Sequence, residues 1–338
     1  MLDTIWFILW GVLWAVYFML DGFDLGIGVL LPFLGKNDAD RRTLINAMGP
    51  HWDGNEVWLI TAGGVTFAAF PKTYAVMFSA LYSPLLIILF GLIFRGVAME
   101  FRSQIENPGW RRMWDTFLFA GSLIPAVLFG VAFANIFQGI LIDGAGVYHG
   151  SLIGLLNPYG LLGGALFLLL FLEHGALWLS AKAPAPMQQR AAAAASALWI
   201  PLTLAAVAFL AYTWFATSLY ENYLQSPLLW VLPAVTVAAL LSVRAFIAGK
   251  AWWKAWFASC ITIFGATLFG VAGLYPNLLP SRLDPAFSLN IFNSSSSPLT
   301  LKIMLGVALT FVPLVIAYQA WTYNLFKNNL LDNAGAEY

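Results

Sequence analysis

Tyr17-Phe18-Met19-Leu20-Asp21-Gly22-Phe23-Asp24-Leu25-Gly26-Ile27-Gly28 places two carboxylates in the middle of the first long apolar stretch of the chain. A carboxylate inside a lipid-spanning helix costs several kcal/mol unless it is protonated, paired or facing a wet cavity. Such groups point first to the handling of protons or ions. Asp21 and Asp24 are three residues apart, so on a helix they share a face and their side chains can meet. Gly28 falls on that same face. Gly22 and Gly26 form an adjacent small-x-x-x-small strip that lets a second helix approach closely. Two neighbouring carboxyls also tend to share a proton, because like charges raise one of the two pKa values.

Composition sets the class. The 338 residues are 61% hydrophobic and 9% charged, and 16 basic residues balance 16 acidic ones. Soluble domains carry about a quarter charged residues, so the chain reads as an all-α, polytopic membrane protein, and it has no basic excess that would suit nucleic acid. No Lys or Arg precedes Lys36. The N-terminus therefore lacks the positive segment of a secretory signal, and residues 5–33 are expected to stay as the first span. Cys260 is the single cysteine, which excludes intramolecular disulfides and Cys-x-x-Cys motifs. His51, His149 and His174 are the only histidines, and no His-plus-His pair sits on two facing apolar segments to hold a heme. No metal site and no catalytic residue is expected in this chain.

Spans need roughly 20 apolar residues. Nine are expected, at about 5–33, 54–71, 76–96, 115–138, 153–180, 195–218, 228–247, 255–275 and 300–326. The second is short and contains Gly63-Gly64, and an eight-span topology with this piece re-entrant is the rival. Charge arbitrates, since cytoplasmic loops are rich in Lys and Arg. With nine spans and the N-terminus outside, 13 of the 16 basic residues, from Lys36 to Lys327, fall on the cytoplasmic side, and only Lys72, Arg282 and Lys302 fall outside. Tryptophan agrees: Trp52, Trp110, Trp114, Trp252, Trp253 and Trp256 gather at the expected inner ends. Residues 279–298, with the Ser294 to Ser297 run, read as an irregular outer loop. The whole chain, 1–338, forms a single membrane domain with no soluble part.

A second constellation, Gly49-Pro50-His51-Trp52-Asp53-Gly54-Asn55-Glu56-Val57-Trp58, straddles the inner mouth of the second span. Asp53 suits a helix N-cap, with Glu56 three residues on. Capping does not explain so many polar and amphipathic groups at one entrance, which a path collecting protons for Asp24 and Asp21 would. Glu173-His174 adds an acid and an imidazole within the fifth span. Adjacent helical residues point about 100° apart, so the two cannot face one site squarely; Glu173 is the candidate for a hydrated path and His174 for a packed histidine. Arg95, Glu100 and Arg102 read as surface anchors and internal ion pairs.

The strings Asp21-Gly-Phe-Asp24-Leu-Gly26-Ile-Gly28, Phe33-Leu-Gly-Lys-Asn-Asp38, Pro50-His-Trp-Asp-Gly-Asn55, Trp58-Leu-Ile-Thr-Ala-Gly-Gly64, Phe94-Arg95, Val131-Ala-Phe-Ala-Asn135 and Leu156-Asn-Pro158 closely resemble subunit II of the cytochrome bd family of quinol oxidases. The likeness runs through the closing helix and is strongest in residues 1–140. It implies two four-helix bundles, 1–140 carrying the acidic motifs and 141–338 the second bundle, with a peripheral ninth helix. It further implies a bacterial inner-membrane complex in which subunit I carries two b hemes, one d heme and the quinol site, while this chain binds no heme itself. A bound quinone is placed in subunit II of some members, and a small single-helix accessory subunit is a further expected partner beside membrane lipids. The family's proton entrance maps onto Trp52 and Asp53, with Asp21 and Asp24 nearby, and Glu56 and Glu173 complete the expected pathway. Only about ten residues, around Glu221-Asn222-Tyr223, join the sixth and seventh spans, where several members carry a long hydrophilic insertion. Two rival functions remain: a purely structural scaffold for subunit I, and an independent proton-coupled transporter, for which paired half-helix interruptions are lacking.

Overall fold

In the computed structural model, which describes residues 1–326, almost every element is a helix. In chain order these are α1 (Leu2–Leu34), α2 (Asp38–Met48), α3 (Trp52–Ala69), α4 (Pro71–Ala80), α5 (Tyr82–Phe101), α6 (Pro108–Gln138), α7 (Leu152–Leu155), α8 (Pro158–Lys182), α9 (Ala185–Ala216), α10 (Leu219–Gln225), α11 (Val231–Ala248), α12 (Trp252–Leu274), α13 (Ile291–Ser294) and α14 (Pro298–Leu325). Lipid leaves backbone N–H and C=O groups no partner but each other, and apolar segments of this length answer by forming helices. Helix starts carry local signals. Asn107, Asn157 and Ser297 cap α6, α8 and α14 with their side chains, each followed by a proline at the first helical position.

Eight of these segments are long and apolar enough to cross a membrane: α1, α5, α6, α8, α9, α11 with the short turn before it, α12 and α14. The remaining expected span, 54–71, is α3, an 18-residue helix of about 27 Å. Its polar groups lower its hydropathy below that of the others, yet its two ends meet opposite ends of α14. Asn55 accepts from Tyr323 at one end, and the carbonyl of Ala69 accepts from the N–H of Ser296 at the other. α3 therefore runs the length of a spanning helix and is not re-entrant. The segment expected at 76–96 is displaced and divided: α4 and α5 meet at Leu81, and the apolar helix continues to Phe101. Lys327 and the rest of the C-terminal segment lie outside the described residues.

α1 is the axis of the molecule, flanked by α3, α6, α8 and α12. Its contact with α8 is as close as backbones allow. A Cβ on Gly26 would stand 1.8 Å from the carbonyl oxygen of Phe171, and one on Gly175 would stand 2.8 Å from the nitrogen of Ile27. On the next face, a Cβ on Gly28 would meet Ser122 Oγ of α6 at 2.0 Å. Around the outside, α5 packs along α6, α9 along α8 and α11 along α12. α14 is the least buried of the spans.

Residues 279–298, expected to form an irregular outer loop, carry local order. Asn277–Leu279 and Leu289–Asn290 form a two-stranded antiparallel ribbon, and Asn290 with Asn293 makes a capping box at α13. The serines are hydrogen-bonding parts of this cap: Ser281 Oγ donates to the carbonyl of Ile142, and Ser288 Oγ accepts from the Ser281 N–H.

Candidate functional site

Asp21 and Asp24 are both completely buried on α1, and α3 and α5 bring their partners. One Asp21 oxygen lies 2.8 Å from the guanidinium of Arg95, and Tyr17, one turn back, donates to the other at 3.0 Å. Arg95 is itself fully buried and stands 3.3 Å from Glu56, whose side chain is 21% exposed. A chain of charged groups thus leads from a partly open carboxylate on α3, through a guanidinium on α5, to a sealed carboxylate on α1. Glu56 is its outlet.

Asp24 has a separate connection. Asn55 Nδ2 donates to it at 2.7 Å, while Asn55 Oδ1 accepts from Tyr323 at 2.8 Å and from Gln319 at 3.1 Å. Gln319 in turn accepts from Trp58 at 2.8 Å. The amide of Asn55 is oriented by these bonds, since its nitrogen must face the carboxylate and its oxygen the two donors of α14. Asp24 Oδ1 and the Nε and Nη1 atoms of Arg95 are buried without a protein hydrogen-bond partner.

The remaining expected residues fall into place around this cluster in different ways. Asp53 is exposed, and its carboxylate accepts from the N–H of Gly54, so it does not touch Asp24 or Asp21. Helical rotation explains this: the stripe of α3 turned inward is Asn55, Trp58, Ala62 and Thr66, and Asp53 lies off it. Trp52 covers Gly96 of α5, where a Cβ would be 3.2 Å from the indole ring, and so walls the side of α5 that carries Arg95. Glu173 is buried in α8 with Oε1 lacking a partner, and no hydrogen bond or ion pair among the described residues joins it to the cluster. His174 is packed: it bonds Ser259 Oγ at 2.6 Å and the carbonyl of Met19 at 3.0 Å, and stacks on Trp256. His51, just before α3, is buried and stacked on Tyr323 with centroids 4.3 Å apart. Burial, with some help from Lys182, pushes its imidazole down to about 3, so it stays neutral and collects no protons at ordinary pH.

Sequence reasoning left Arg95, Tyr17, Gln319 and Tyr323 out of the site. Arg95 did leave a signal: it is the one cation inside the apolar run 82–101, where a charge is costly unless it is paired. Among the described residues no group of three or more His, Cys, Asp or Glu side chains is arranged to hold a metal ion.

Comparison with known proteins bears on what the arrangement serves. The family model for cytochrome bd terminal oxidase subunit II matches residues 2–326. This chain belongs to that family. It is 38% identical over 364 residues to a probable cytochrome oxidase subunit 2 of Haemophilus influenzae, covering 98% of this chain and 96% of the relative. It is 36% identical over 337 residues to the cytochrome bd ubiquinol oxidase subunit 2 of Bacillus subtilis, covering 97% of both. The cytochrome bd-I ubiquinol oxidase subunit 2 of Escherichia coli is 36% identical over 356 residues, with 95% and 93% covered. The structure of bd oxidase from Geobacillus thermodenitrificans superposes with a TM-score of 0.76 over 97% of this chain and 99% of that one; at 18% identity it speaks to the fold alone. The protein is a multi-pass membrane subunit of a terminal oxidase of the cytochrome bd type.

Proposed function

We propose that this subunit works beside a heme-bearing subunit I in the bacterial inner membrane and supplies protons from the cytoplasm to the reduction of dioxygen to water. The observation that carries this is the continuous Glu56, Arg95, Asp21 chain, which runs from a partly open carboxylate to one with no exposure. Charged groups at this depth are expensive as mere glue. Glu56 is the proton-accepting end, Arg95 holds the carboxylates in register, and Asp21 and Asp24 are the inner stations. Asp53, on the surface one turn away, raises the local proton concentration, and Trp52 keeps the entrance narrow. Glu173 is a separate buried acid that would extend the path only through water.

The residues here do not suit a heme. His174 has both ring nitrogens engaged, His51 is covered by Tyr323 and Trp178, and His149 is a surface residue bonded to Asp143. We therefore assign the hemes, and the quinol that reduces them, to subunit I, as the family resemblance implies. A quinone ring could be taken up structurally by the recess of about 530 Å³ between α1, α8, α12 and α14, whose walls include Trp178, Trp253, Trp256 and Tyr323. That volume is typical of small-molecule sites.

Turnover and heme content separate the readings. Glu56→Gln is expected to slow oxygen consumption at neutral pH at least tenfold with heme content intact, the usual scale for losing a proton-transfer group, and Asp53→Asn is expected to slow it less. If activity falls only in proportion to the yield of assembled complex, the subunit is a scaffold and protons enter elsewhere.

A further inference from the structure

Where α1 and α5 end and α6 begins at the Lys- and Arg-rich face, a polar recess of about 320 Å³ opens beside the start of α6. Lys36, Arg41, Arg102, Arg111 and Arg112 line it against only two carboxylates, Asp38 and Asp115, which leaves an excess of three positive charges. Both carboxylates are already shared. Asp115 holds Arg41 and Arg102, each at 2.5 Å, and Asp38 holds Arg102 at 2.9 Å with Arg111 and Arg42 each at 3.1 Å. Burial works to raise the Asp38 carboxyl, but Arg102, Arg111 and Arg42 outweigh it and hold it below the ordinary range, so it stays a full anion. The third nearby acid, Asp40, is taken by Arg190.

Two further observations point to an absent anion. Arg102 is 1% exposed and its Nη1 has no partner, and Nε of Arg111 is also unpartnered. A buried guanidinium nitrogen left without an acceptor is costly, because it loses its hydration with nothing in return. The first turn of α6 also carries no acid where the positive end of a helix dipole would favour one; Arg111 and Arg112 follow instead. Trp110 lies in this turn and Trp114 in the next, and indoles mark the headgroup level of a bilayer.

We propose that this recess binds a phosphate group, the headgroup of an acidic phospholipid in the leaflet on that side. Forked guanidinium donors match phosphate oxygens in pairs, and basic pockets among spanning helices at this level suit such headgroups. Lys36 and Arg112, which make no ion pair among the described residues, provide long-range attraction, and Arg102 and Arg111 provide the bonds.

The test uses the assembled oxidase complex, stripped of lipid by detergent exchange and titrated with dioleoylphosphatidylglycerol, dioleoylphosphatidylcholine or inorganic phosphate, with binding read by native mass spectrometry. Phosphatidylglycerol is expected to be retained and phosphatidylcholine lost. Lys36→Gln combined with Arg112→Gln, which breaks no ion pair among the described residues, is expected to weaken phosphatidylglycerol binding about tenfold or more, on the scale of one surface cation each. Arg282→Gln, at the opposite end of the molecule, is expected to leave it unchanged. If inorganic phosphate binds alone and displaces phosphatidylglycerol, the phosphate site stands with a soluble occupant. Equal retention of both lipids, or equal binding by wild type and the double variant, overturns the proposal.

Discussion

Arg95 shows how one side chain decides whether the buried acids are tolerable. Removing it alone leaves Asp21 without its countercharge at zero exposure, and breaking a buried pair from one side costs about 3–5 kcal/mol. Arg95→Gln is therefore expected to lower the thermal stability and yield of the complex sharply, and adding Asp21→Asn to recover most of that loss. A double-mutant cycle on the melting temperature checks it. His51 gives the pH counterpart. Its folded value of about 3 lies below its ordinary 6.5, so the unfolded chain binds the proton first; the stability its neutral form contributes is full above pH 6.5 and is lost as pH falls toward 3. By pH 5.5 the loss is about 1.4 kcal/mol, and His51→Phe is expected to flatten that part of the stability profile, measured by unfolding between pH 7.5 and 5. Neither result was legible in the sequence. Burial against Tyr323, 272 positions away, neutralises a histidine that on paper looked like a titrating entrance group, and the partners of Arg95 lie on two other helices.

At the scale of elements, a close helix approach along α1 was readable in advance because Gly22 and Gly26 recur at helical spacing, but not that α8 makes it. The structure adds Gly175 as the reciprocal small residue, and sequence could not pair it because nothing in the local pattern names the opposing helix. Gly26→Val is expected to prevent assembly outright, since the added carbons would occupy the place of the Phe171 carbonyl and overpacking is relieved only by moving backbone; the readout is loss of the monodisperse complex on size exclusion. The boundary between α4 and α5 was not legible. Leu81-Tyr82 has no glycine or proline at the break, and Pro84 sits in the first turn of α5, where proline is compatible with a helix and gives no warning. Asp53 and Asn55 illustrate a third limit: both are polar at the mouth of α3, and only the rotation of the helix against α1 tells which one turns inward.

Over the whole molecule, the alternation of basic loops follows from helix connectivity once α3 is a span. Lys36, Arg102 and Arg190 gather at one end around α2, while the ribbon carrying Arg282 closes the other. Single cysteines in place of Asn37 and Arg282 are expected to react with a membrane-impermeant maleimide from opposite sides of the membrane; Cys260 is buried and will stay silent. Labelling from the same side would remove α3 from the list of spans. The placement of α14 was anticipated only as peripheral. Its polar contribution was not, because Gln319 and Tyr323 look like ordinary interfacial residues until Asn55 is found beside them.

That last contact sets an order of events during biosynthesis. Asp24 emerges on the first helix and Tyr323 on the last, and the amide of Asn55 needs both before its two ends are satisfied. The polar centre of the earliest-made span is thus finished only when the final span has been inserted, so a chain arrested before α14 would present membrane surveillance proteases with an unfulfilled amide at its heart.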